Sequence, residues 1–322
     1  MGRANAAYYA THDPFADFTT APEIAQAFGE ILGLWAAVTW EQLGRPAPVL
    51  LAEAGPGRGT LMADALRAIT RAAPAFRAAL SLHLIETSPR LRALQAAALP
   101  AGTVWHARLD TLPDAPLILL ANEFLDALPI RQFVYRGGGW TERFVADGAF
   151  VERPAEPPAT IASLASGRGE IVVELCEPAR AFVTALAGRL AARPGAALLL
   201  DYGPAEPATG DSLQALRGGI PADPLADPGE ADLTAHVDFP ALAALARAAG
   251  AAVHGPLPQG ALLTRLGLFQ RTDRLARGQP PARAMALVAA ARRLAEPVRM
   301  GRLVKALALC HPACPTPAGF EA

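Results

Sequence analysis

Three glycines at alternate positions follow an acidic residue early in the chain. Glu53 stands near the end of an apolar run, Gly55, Gly57 and Gly59 come next, and a helix is predicted to begin at Thr60. Because glycine has no Cβ, such a turn lets the backbone pass close to a ligand. The spacing is not the dinucleotide pattern, whose last glycine would fall at position 60, and no Lys-Ser/Thr pair follows as in a Walker loop. The segment therefore indicates another nucleotide-type site, or else a glycine-rich turn that binds nothing.

Polar residues also end other predicted strands. The strand predicted over 80–86 ends on Glu86, and the apolar strand over 117–121 is followed by Asn122 and Glu123. Strands that are apolar throughout and separated by helices indicate a parallel sheet covered on both faces. Ligands of such sheets bind at the carboxyl ends of the strands, so these residues and the glycines are predicted to meet in one crevice.

The spacing E-x-G-x-G-x-G resembles motif I of the class I S-adenosylmethionine (SAM) methyltransferases. The resemblance implies a Rossmann-like sheet with helices on both faces, in which the glycines pass under the methionine part of SAM. It also implies that Glu53 lies close to that part and that Glu86 accepts hydrogen bonds from both ribose hydroxyls. Without a ligand, Glu53 would form a salt bridge and Glu86 would lie on the surface at a strand end. The residues just after the third strand, from His106 to Leu109, either cover the adenine or end a buried strand.

A larger resemblance extends in order over nearly the whole chain, and it is to the MidA family. Members of that family are SAM-dependent methyltransferases, and the mitochondrial ones symmetrically dimethylate an arginine on a core subunit of respiratory complex I. The resemblance implies the same activity here, with SAM as cofactor, S-adenosyl-L-homocysteine (SAH) as product and a complex I core subunit as protein partner. The segments that carry it are 15–35, 51–62, 84–95, 121–129, 201–203, 213–215 and 232–239.

The acids after the fourth strand are predicted to bind the methyl acceptor. Folds of this class place the acceptor at the end of that strand, where the chain carries Asn122, Glu123 and Asp126. The sulfonium of SAM is cationic. A guanidinium, whose pKa is above about 12, is cationic too, so carboxylates must offset two like charges. Glu123 and Asp126 are predicted to hold the guanidinium in a fork, and catalysis is then mostly positioning. Alternatively, Asp126 is an acid in the first turn of a helix.

Residues of the N-terminal part have two alternative roles each. Thr20 and Glu23 match a capping box at a helix start, and Thr20 is also a cofactor-binding candidate because it lies in a segment of the family resemblance. Tyr8, Tyr9 and Phe18 are predicted either to wall the substrate channel or to pin the N-terminal arm.

Residues late in the chain are open to two interpretations as well. Asp201 ends the fifth predicted strand and is expected near the substrate. His236 and Asp238 are either a catalytic pair, or Asp238 caps the helix that begins near Pro240 while His236 braces a lid.

The chain departs from the family pattern on the substrate side. Ala7 replaces a glycine before the Tyr-Tyr pair, residues 14–18 are shortened, and Gly219 stands where the family usually has a histidine. These changes leave open a SAM methyltransferase for another protein or a small molecule, and a SAM-binding assembly chaperone without activity. Intact glycines and acids argue against the chaperone, and the glycine spacing argues against an NAD-dependent dehydrogenase.

The pattern along the chain predicts an α/β fold with an inserted β-meander and a long lid loop. Residues 1–48 are expected to form an N-terminal arm and helix, 49–130 and 171–270 the SAM-methyltransferase core with a lid over 203–237, 131–170 the inserted hairpin or meander, and 271–322 a C-terminal helical segment.

Composition excludes several other classes of protein. The 322 residues carry a net charge of −1, which indicates no basic surface for nucleic acid. No apolar run approaches the roughly 20 residues of a membrane-spanning helix, so no membrane insertion is expected. The N-terminus has no signal core, so we expect a cytoplasmic bacterial protein. The three cysteines are expected to be free thiols without a metal, since Cys310, His311 and Cys314 lack a second ligand pair. A homodimer is compatible with the sequence, which does not define the oligomeric state.

Overall fold

The computed structural model describes residues 1–12, 19–165 and 169–321. Within these ranges the strands form a central sheet and two smaller sheets. In chain order the strands are β1 (Val49–Ala54), β2 (Leu80–Ile85), β3 (Val104–His106), β4 (Leu117–Asn122), β5 (Arg131–Arg136), β6 (Gly139–Ala146), β7 (Ala149–Pro154), β8 (Ile171–Leu175), β9 (Gly195–Tyr202), β10 (Gln214–Arg217), β11 (Ile220–Ala222), β12 (Asp232–Thr234), β13 (Ala252–Pro258) and β14 (Val304–Cys310).

Most helices of the described ranges cover the central sheet or the ends of its strands, whereas α7 packs against the inserted sheet. None of them combines the length and the apolar character that a membrane crossing requires. In chain order they are α1 (Gly2–Thr11), α2 (Ala21–Ile24), α3 (Gln26–Gln42), α4 (Thr60–Ala72), α5 (Pro74–Ala79), α6 (Pro89–Ala98), α7 (Ala159–Ala162), α8 (Glu177–Ala192), α9 (Phe239–Ala248), α10 (Gln259–Arg265), α11 (Leu268–Ala276) and α12 (Pro281–Ala295).

The central sheet has the order β13-β14-β9-β4-β1-β2-β3. β1 pairs in parallel with both β2 and β4, whereas β14 runs antiparallel to its neighbours β9 and β13. Along the chain, β1, β2 and β3 follow one another towards one edge of the sheet. The later strands, which begin with β4, lie on the other side of β1. Such a switch point opens a crevice at the carboxyl ends of the strands. The arrangement confirms the expected doubly wound, Rossmann-like sheet.

Helices bury both faces of this sheet. α3, α4 and the C-terminal helices pack on one face, while α8 and α9 pack on the other. The strands β1, β4 and β14 are buried along their whole length, as apolar strands of a doubly covered sheet must be. Glu53, Asn122 and Asp201 are the buried polar residues at the carboxyl ends of β1, β4 and β9. The sheet therefore brings polar groups into its interior at this one edge.

The inserted sheet is larger than expected. It has the order β7-β6-β5-β8, so the predicted meander is present but β8 joins it by pairing with β5. Residues 171–175 therefore belong to the insertion, and not to the core as the sequence suggested. The reason is that β8 alternates buried and half-buried residues, as a strand with one covered face does. Its composition alone resembles a strand buried on both faces.

The lid, residues 203–237, is not an irregular loop but contains the sheet β11-β10-β12. Its two ends are held together, since the Val237 amide donates to the Tyr202 carbonyl at 2.8 Å. Gly203 packs so tightly there that an added Cβ would lie 2.1 Å from the Val237 oxygen. Gly219 has φ +73 in the turn between β10 and β11, which accounts for a glycine at a family histidine position.

The expected C-terminal helical segment is wrong in its second half. Residues 304–310 form β14, which enters the central sheet between β13 and β9. On its other side β14 pairs with β13, and the residues that follow β13, 259–265, are helical. Lys305 of β14 is buried, and its ammonium donates to the carbonyls of Gly203 at 2.9 Å and Leu303 at 3.2 Å. Because β9 is about 100 residues away from β14 along the chain, no local sequence pattern indicates that the two strands pair.

Close packing of α3 on α4 predicts how two glycines respond to the same substitution. An added Cβ at Gly33 would lie 2.6 Å from Ala65, so we expect Gly33→Ala to lower the free energy of unfolding by about 1–3 kcal/mol. Gly188 lies on the exposed side of α8, where an added Cβ meets no described atom within 4 Å. Gly188→Ala should raise stability by up to about 1 kcal/mol. Urea denaturation measures both, and equal effects would contradict the packing.

Candidate functional site

The glycine turn, residues 55–59, connects β1 to α4 at the switch point of the sheet. Gly55, Gly57 and Gly59 have φ values of +66, +54 and +85, in the left-handed region that favours glycine. An added Cβ at Gly55 would lie 2.8 Å from the ring of Phe124, which follows β4. The turn and the end of β4 therefore lie against each other, as the sequence predicted for one shared crevice.

Glu86 follows β2 and is held by the backbone. Its Oε1 accepts from the amides of Thr87 and Ser88, both at 2.7 Å, and its Oε2 accepts from Gln95 at 3.3 Å. Burial raises the pKa of the carboxyl group, while these three hydrogen bonds oppose that rise. Because Oε1 already accepts from two amides, Oε2 is the oxygen with more remaining capacity for a ribose hydroxyl, whereas the contact implied by the resemblance uses both oxygens. The ribose contact itself stays a prediction.

Two buried polar atoms in the crevice have no hydrogen-bond partner among the described residues. They are Oε2 of Glu53 and Oδ1 of Asn122, at the ends of the neighbouring strands β1 and β4. Burial raises the pKa of Glu53 to about 8. Buried acceptors without donors are unfavourable unless a ligand supplies the donors. The ammonium of an amino-acid group is such a donor, so the pair fits the methionine part of SAM.

The acid cluster consists of Glu123, Asp126, Asp201 and Asp232, whose charges act on one another. Glu123 follows β4 with φ +49, which is uncommon outside glycine and indicates a backbone held by its surroundings. Its Oε1 accepts from the amide of Ala21 at 2.9 Å and from Asn122 at 3.0 Å. Both bonds fall on one oxygen, so Oε2 remains to accept from a substrate.

Asp201 positions the turn that carries Asp126. Its Oδ2 accepts from three consecutive amides, those of Phe124 at 3.0 Å, Leu125 at 2.7 Å and Asp126 at 3.4 Å. The sequence predicted Asp201 near the substrate but gave no sign of this anchoring role. The role depends on the pairing of β4 with β9, which brings residues 124–126 beside the end of β9.

Burial raises the pKa values of Glu123, Asp126 and Asp201 in the acid cluster. Burial, followed by the charges of Asp201, Glu123 and Asp232, raises the pKa of Asp126 well above its usual value. Burial likewise raises the pKa of Asp201 to about 7. A cation that enters would favour the ionised forms and lower these pKa values. Among the described residues, no three metal-binding side chains are placed to hold a metal ion.

The predicted capping box is wrong. Thr20 precedes α2, but its side chain makes no capping hydrogen bond. Glu23 instead accepts from the hydroxyl of Thr60 at 2.5 Å, which ties α2 to the start of α4. Local capping geometry is replaced here by a tertiary contact beside the glycine turn. Contact of Thr20 with the cofactor stays a prediction.

The structure favours the structural alternatives for other candidates. Asp238 accepts from the amide of Ala241 at 3.1 Å and caps α9, and both His236 and Asp238 are exposed, which disfavours a catalytic pair. Leu109 packs in the hydrophobic core, so its contact with the adenine stays a prediction. The cysteines are free.

The N-terminal helix α1 spans the cofactor side and the lid. The hydroxyl of Tyr9 donates to Asp232 at 2.8 Å. The backbone carbonyl of Tyr9 accepts from the hydroxyl of Ser88 at 3.0 Å. Tyr8 is fully buried. These contacts favour the arm-pinning role, while Phe18 and the shortened segment 14–18 lie outside the described residues.

Gln95 is a site residue that the sequence analysis missed. Its amide nitrogen donates to the carbonyl of Gly57 at 2.7 Å as well as to Glu86, and its oxygen accepts from the indole of Trp105 at 2.8 Å. The sequence feature that could have indicated Gln95 is its position as a lone glutamine on the buried side of α6, where the other buried residue is Leu91. That signal is weak, because exposed glutamines are common in helices.

A family model matches residues 31–257 of the chain, and its description is "Putative S-adenosyl-L-methionine-dependent methyltransferase". Two curated relatives are the mitochondrial protein arginine methyltransferase NDUFAF7 homolog of Drosophila melanogaster and the mitochondrial protein arginine methyltransferase NDUFAF7 of Danio rerio. The first is 34% identical over 94% of this chain and 78% of its own length. The second is 33% identical over 91% of this chain and 77% of its own length.

Two solved structures from Burkholderia thailandensis share the fold. A COG1565 superfamily member bound to S-adenosyl-homocysteine has a TM-score of 0.78 and 28% identity, with 95% of this chain and 80% of that chain covered. A native crystal structure of a COG1565 superfamily protein has a TM-score of 0.82 and 27% identity, with 100% and 89% covered.

The buried Glu53 predicts how stability depends on pH in the ligand-free protein. Its folded-state pKa of about 8 lies above the ordinary value of 4.5, so the folded state binds the proton more tightly. The stability it contributes is fully present below the unfolded pKa and is lost as the pH rises through the folded one. Glu53→Gln stays neutral, so its free energy of unfolding should fall less than that of the wild type between about pH 5 and 9.

Urea denaturation at a series of pH values measures this difference. The exposed Glu156 provides a matched control, because Glu156→Gln should follow the wild-type curve. A Glu53→Gln curve parallel to the wild type would mean that Glu53 is already ionised in the folded state.

Proposed function

Because the chain belongs to this family of SAM-dependent methyltransferases, we propose that it methylates an arginine side chain of a protein. The observation that carries the proposal is the acid cluster beside the glycine turn. The names of the fly and zebrafish relatives, both protein arginine methyltransferases, support arginine as the acceptor. The resemblance to the MidA family supports symmetric dimethylation and a core subunit of respiratory complex I as the substrate.

An arginine is the acceptor that the chemistry of the cluster favours. Desolvated carboxyl groups attract a cation strongly and repel an anion. A guanidinium presents several N–H donors in one plane, which two carboxylates can share, and it keeps its charge when it leaves water. Oε2 of Glu123 and the carboxyl group of Asp126 are the acceptors we assign to it, and Asp201 holds Asp126 in place through the backbone.

The proposed mechanism uses these residues mainly to position the substrate. SAM, when bound, supplies a methyl group that its sulfonium has already activated. Glu53 and Asn122 would accept hydrogen bonds from its ammonium group and so fix the cofactor end of the crevice. The guanidinium nitrogen that attacks the methyl group must lose a proton, and Asp126, with its raised pKa, is suited to take it. Orientation in a site closed from water then accounts for most of the catalysis.

The proposal is tested by transfer of labelled methyl from SAM into extracts of a strain that lacks this gene. We expect symmetric dimethylarginine on one protein of the size of a complex I core subunit. Gly57→Val places a branched side chain at φ +54 and should abolish both SAH binding and the label. If the wild type binds SAH but labels no protein, the acceptor assignment is wrong.

Substitution of the two assigned acids should separate catalysis from cofactor binding. We expect Glu123→Gln and Asp126→Asn each to lower kcat/KM by about 10- to 1000-fold, because a neutral amide offsets no cationic charge. SAH affinity should change little, since neither residue is assigned to the cofactor. Asp238→Asn, at the exposed cap of α9, is the matched control and should keep full activity. Full methyl transfer by both site variants would exclude the assignment.

A further inference from the structure

One fully buried amide joins three separate parts of the cofactor side of the crevice. Gln95 lies on α6, and its nitrogen donates to the carbonyl of Gly57 at 2.7 Å and to Oε2 of Glu86 at 3.3 Å. Its oxygen accepts from the indole nitrogen of Trp105 on β3 at 2.8 Å. The turn after β1, the acid after β2 and the strand β3 therefore meet at a single side chain.

We propose that Gln95 is a positioning residue that forms the SAM-binding crevice before the ligand arrives. It sets the glycine turn and Oε2 of Glu86 at a fixed separation. This inference rests on the SAM site assumed in the proposed function, and it is independent of the identity of the methyl acceptor. Gln95 acts through the turn and the acid, without a contact of its own to the reacting atoms.

The three partners define which side chain can stand here. The indole N–H of Trp105 can only donate, so the amide oxygen must face it, and the two amide protons then face Gly57 and Glu86. The reversed amide would set acceptor against acceptor at both positions. A glutamate would place a second carboxylate beside Glu86, and an apolar side chain would leave all three groups unsatisfied.

The long contact to Glu86 suits a site that must still bind a ligand. Oε1 of Glu86 is committed to the amides of Thr87 and Ser88. Gln95 holds Oε2 from one side at 3.3 Å, so that oxygen is oriented but retains capacity to accept from a hydroxyl. The acid is therefore fixed in direction without being saturated.

The first test compares two buried glutamines in SAH binding to the full chain by calorimetry. Gln95→Met keeps the volume and removes every hydrogen bond, so we expect about 10- to 100-fold weaker binding. Gln259→Met is the matched control. Gln259 lies on α10 and is equally buried, but its amide nitrogen donates to the Leu294 carbonyl at 3.0 Å and not to a residue of the crevice. The control variant should lose stability and keep wild-type SAH affinity. Wild-type affinity in Gln95→Met would overturn the proposal.

The pH profile of SAH binding separates positioning from general loss of structure. Glu86 accepts from a hydroxyl when ionised, and the hydrogen bond from Gln95 favours that form. Without it the pKa of Glu86 rises further, so the loss of affinity on acidification should begin at higher pH in Gln95→Met. The wild type and Gln95→Met share the other titratable or charged side chains of these elements. They include Arg58 of the glycine turn, Arg92 of α6 and His106 of β3, so these groups cannot cause a difference between the two pH profiles. An equal loss of affinity at every pH would contradict the proposed role.

Two further measurements keep the outcomes distinct. The indole N–H signal of Trp105, one of four tryptophans, should shift in the ligand-free Gln95→Met protein, with Trp105→Phe to assign it. An unchanged signal would contradict the contact. If Glu86→Ala retains SAH affinity, the SAM-site assignment fails together with this proposal. If Glu86→Ala loses affinity and Gln95→Met does not, the role of Gln95 alone is wrong.

Discussion

Buried carboxyl groups at the carboxyl edge of the sheet are the constraint on which the site depends. A carboxylate taken out of water is unfavourable unless hydrogen-bond donors replace the water. Backbone amides supply them here: those of Tyr202 and of three residues after β4 donate to Asp201, two donate to Glu86 and one to Glu123. Except for that of Tyr202, each of these bonds also fixes a segment of chain, namely the turn after β4, the start of α6 and the start of α2. The acids thus determine the shape of the crevice as well as its charge.

The covering elements attach to the same acids. The lid reaches the cluster through the amide of Ala235, which donates to the Asp126 carbonyl at 3.0 Å. α1 reaches it through Tyr9 and Asp232, and Asn5 of α1 donates to the carbonyls of Ala127 and Leu233. The proposed substrate site is therefore covered by elements that hydrogen-bond to the acid cluster or to the residues beside it. A substrate that moves them also changes the solvation of the acids, and through it their pKa values.

The sequence predicts those parts of the fold that local pattern determines. β1, β4 and β9 are mainly apolar runs with polar residues at or near their ends, and the acid Glu86 follows β2, so the positions of these strands and the crevice between them could be inferred. β14 and β8 could not be placed, because their roles follow from partners distant along the chain. The capping box failed for the same reason, since Glu23 binds Thr60 and not its own helix start. Glu86 and Glu123 were identified as candidates, but the amides that hold them were not.

The chain stabilises buried acids in two ways, and the difference bears on function. Away from the crevice, Glu30 is paired with Arg271 at 2.6 Å, and despite burial its pKa is held below its usual value. In the crevice the hydrogen-bond donors to Glu86 and Glu123 are amides of the backbone or of Gln95 and Asn122, and burial raises the pKa values of both carboxyl groups. An arginine at these positions would satisfy the acids but cancel the negative potential. Neutral donors leave that potential available, which suits the cationic acceptor proposed above.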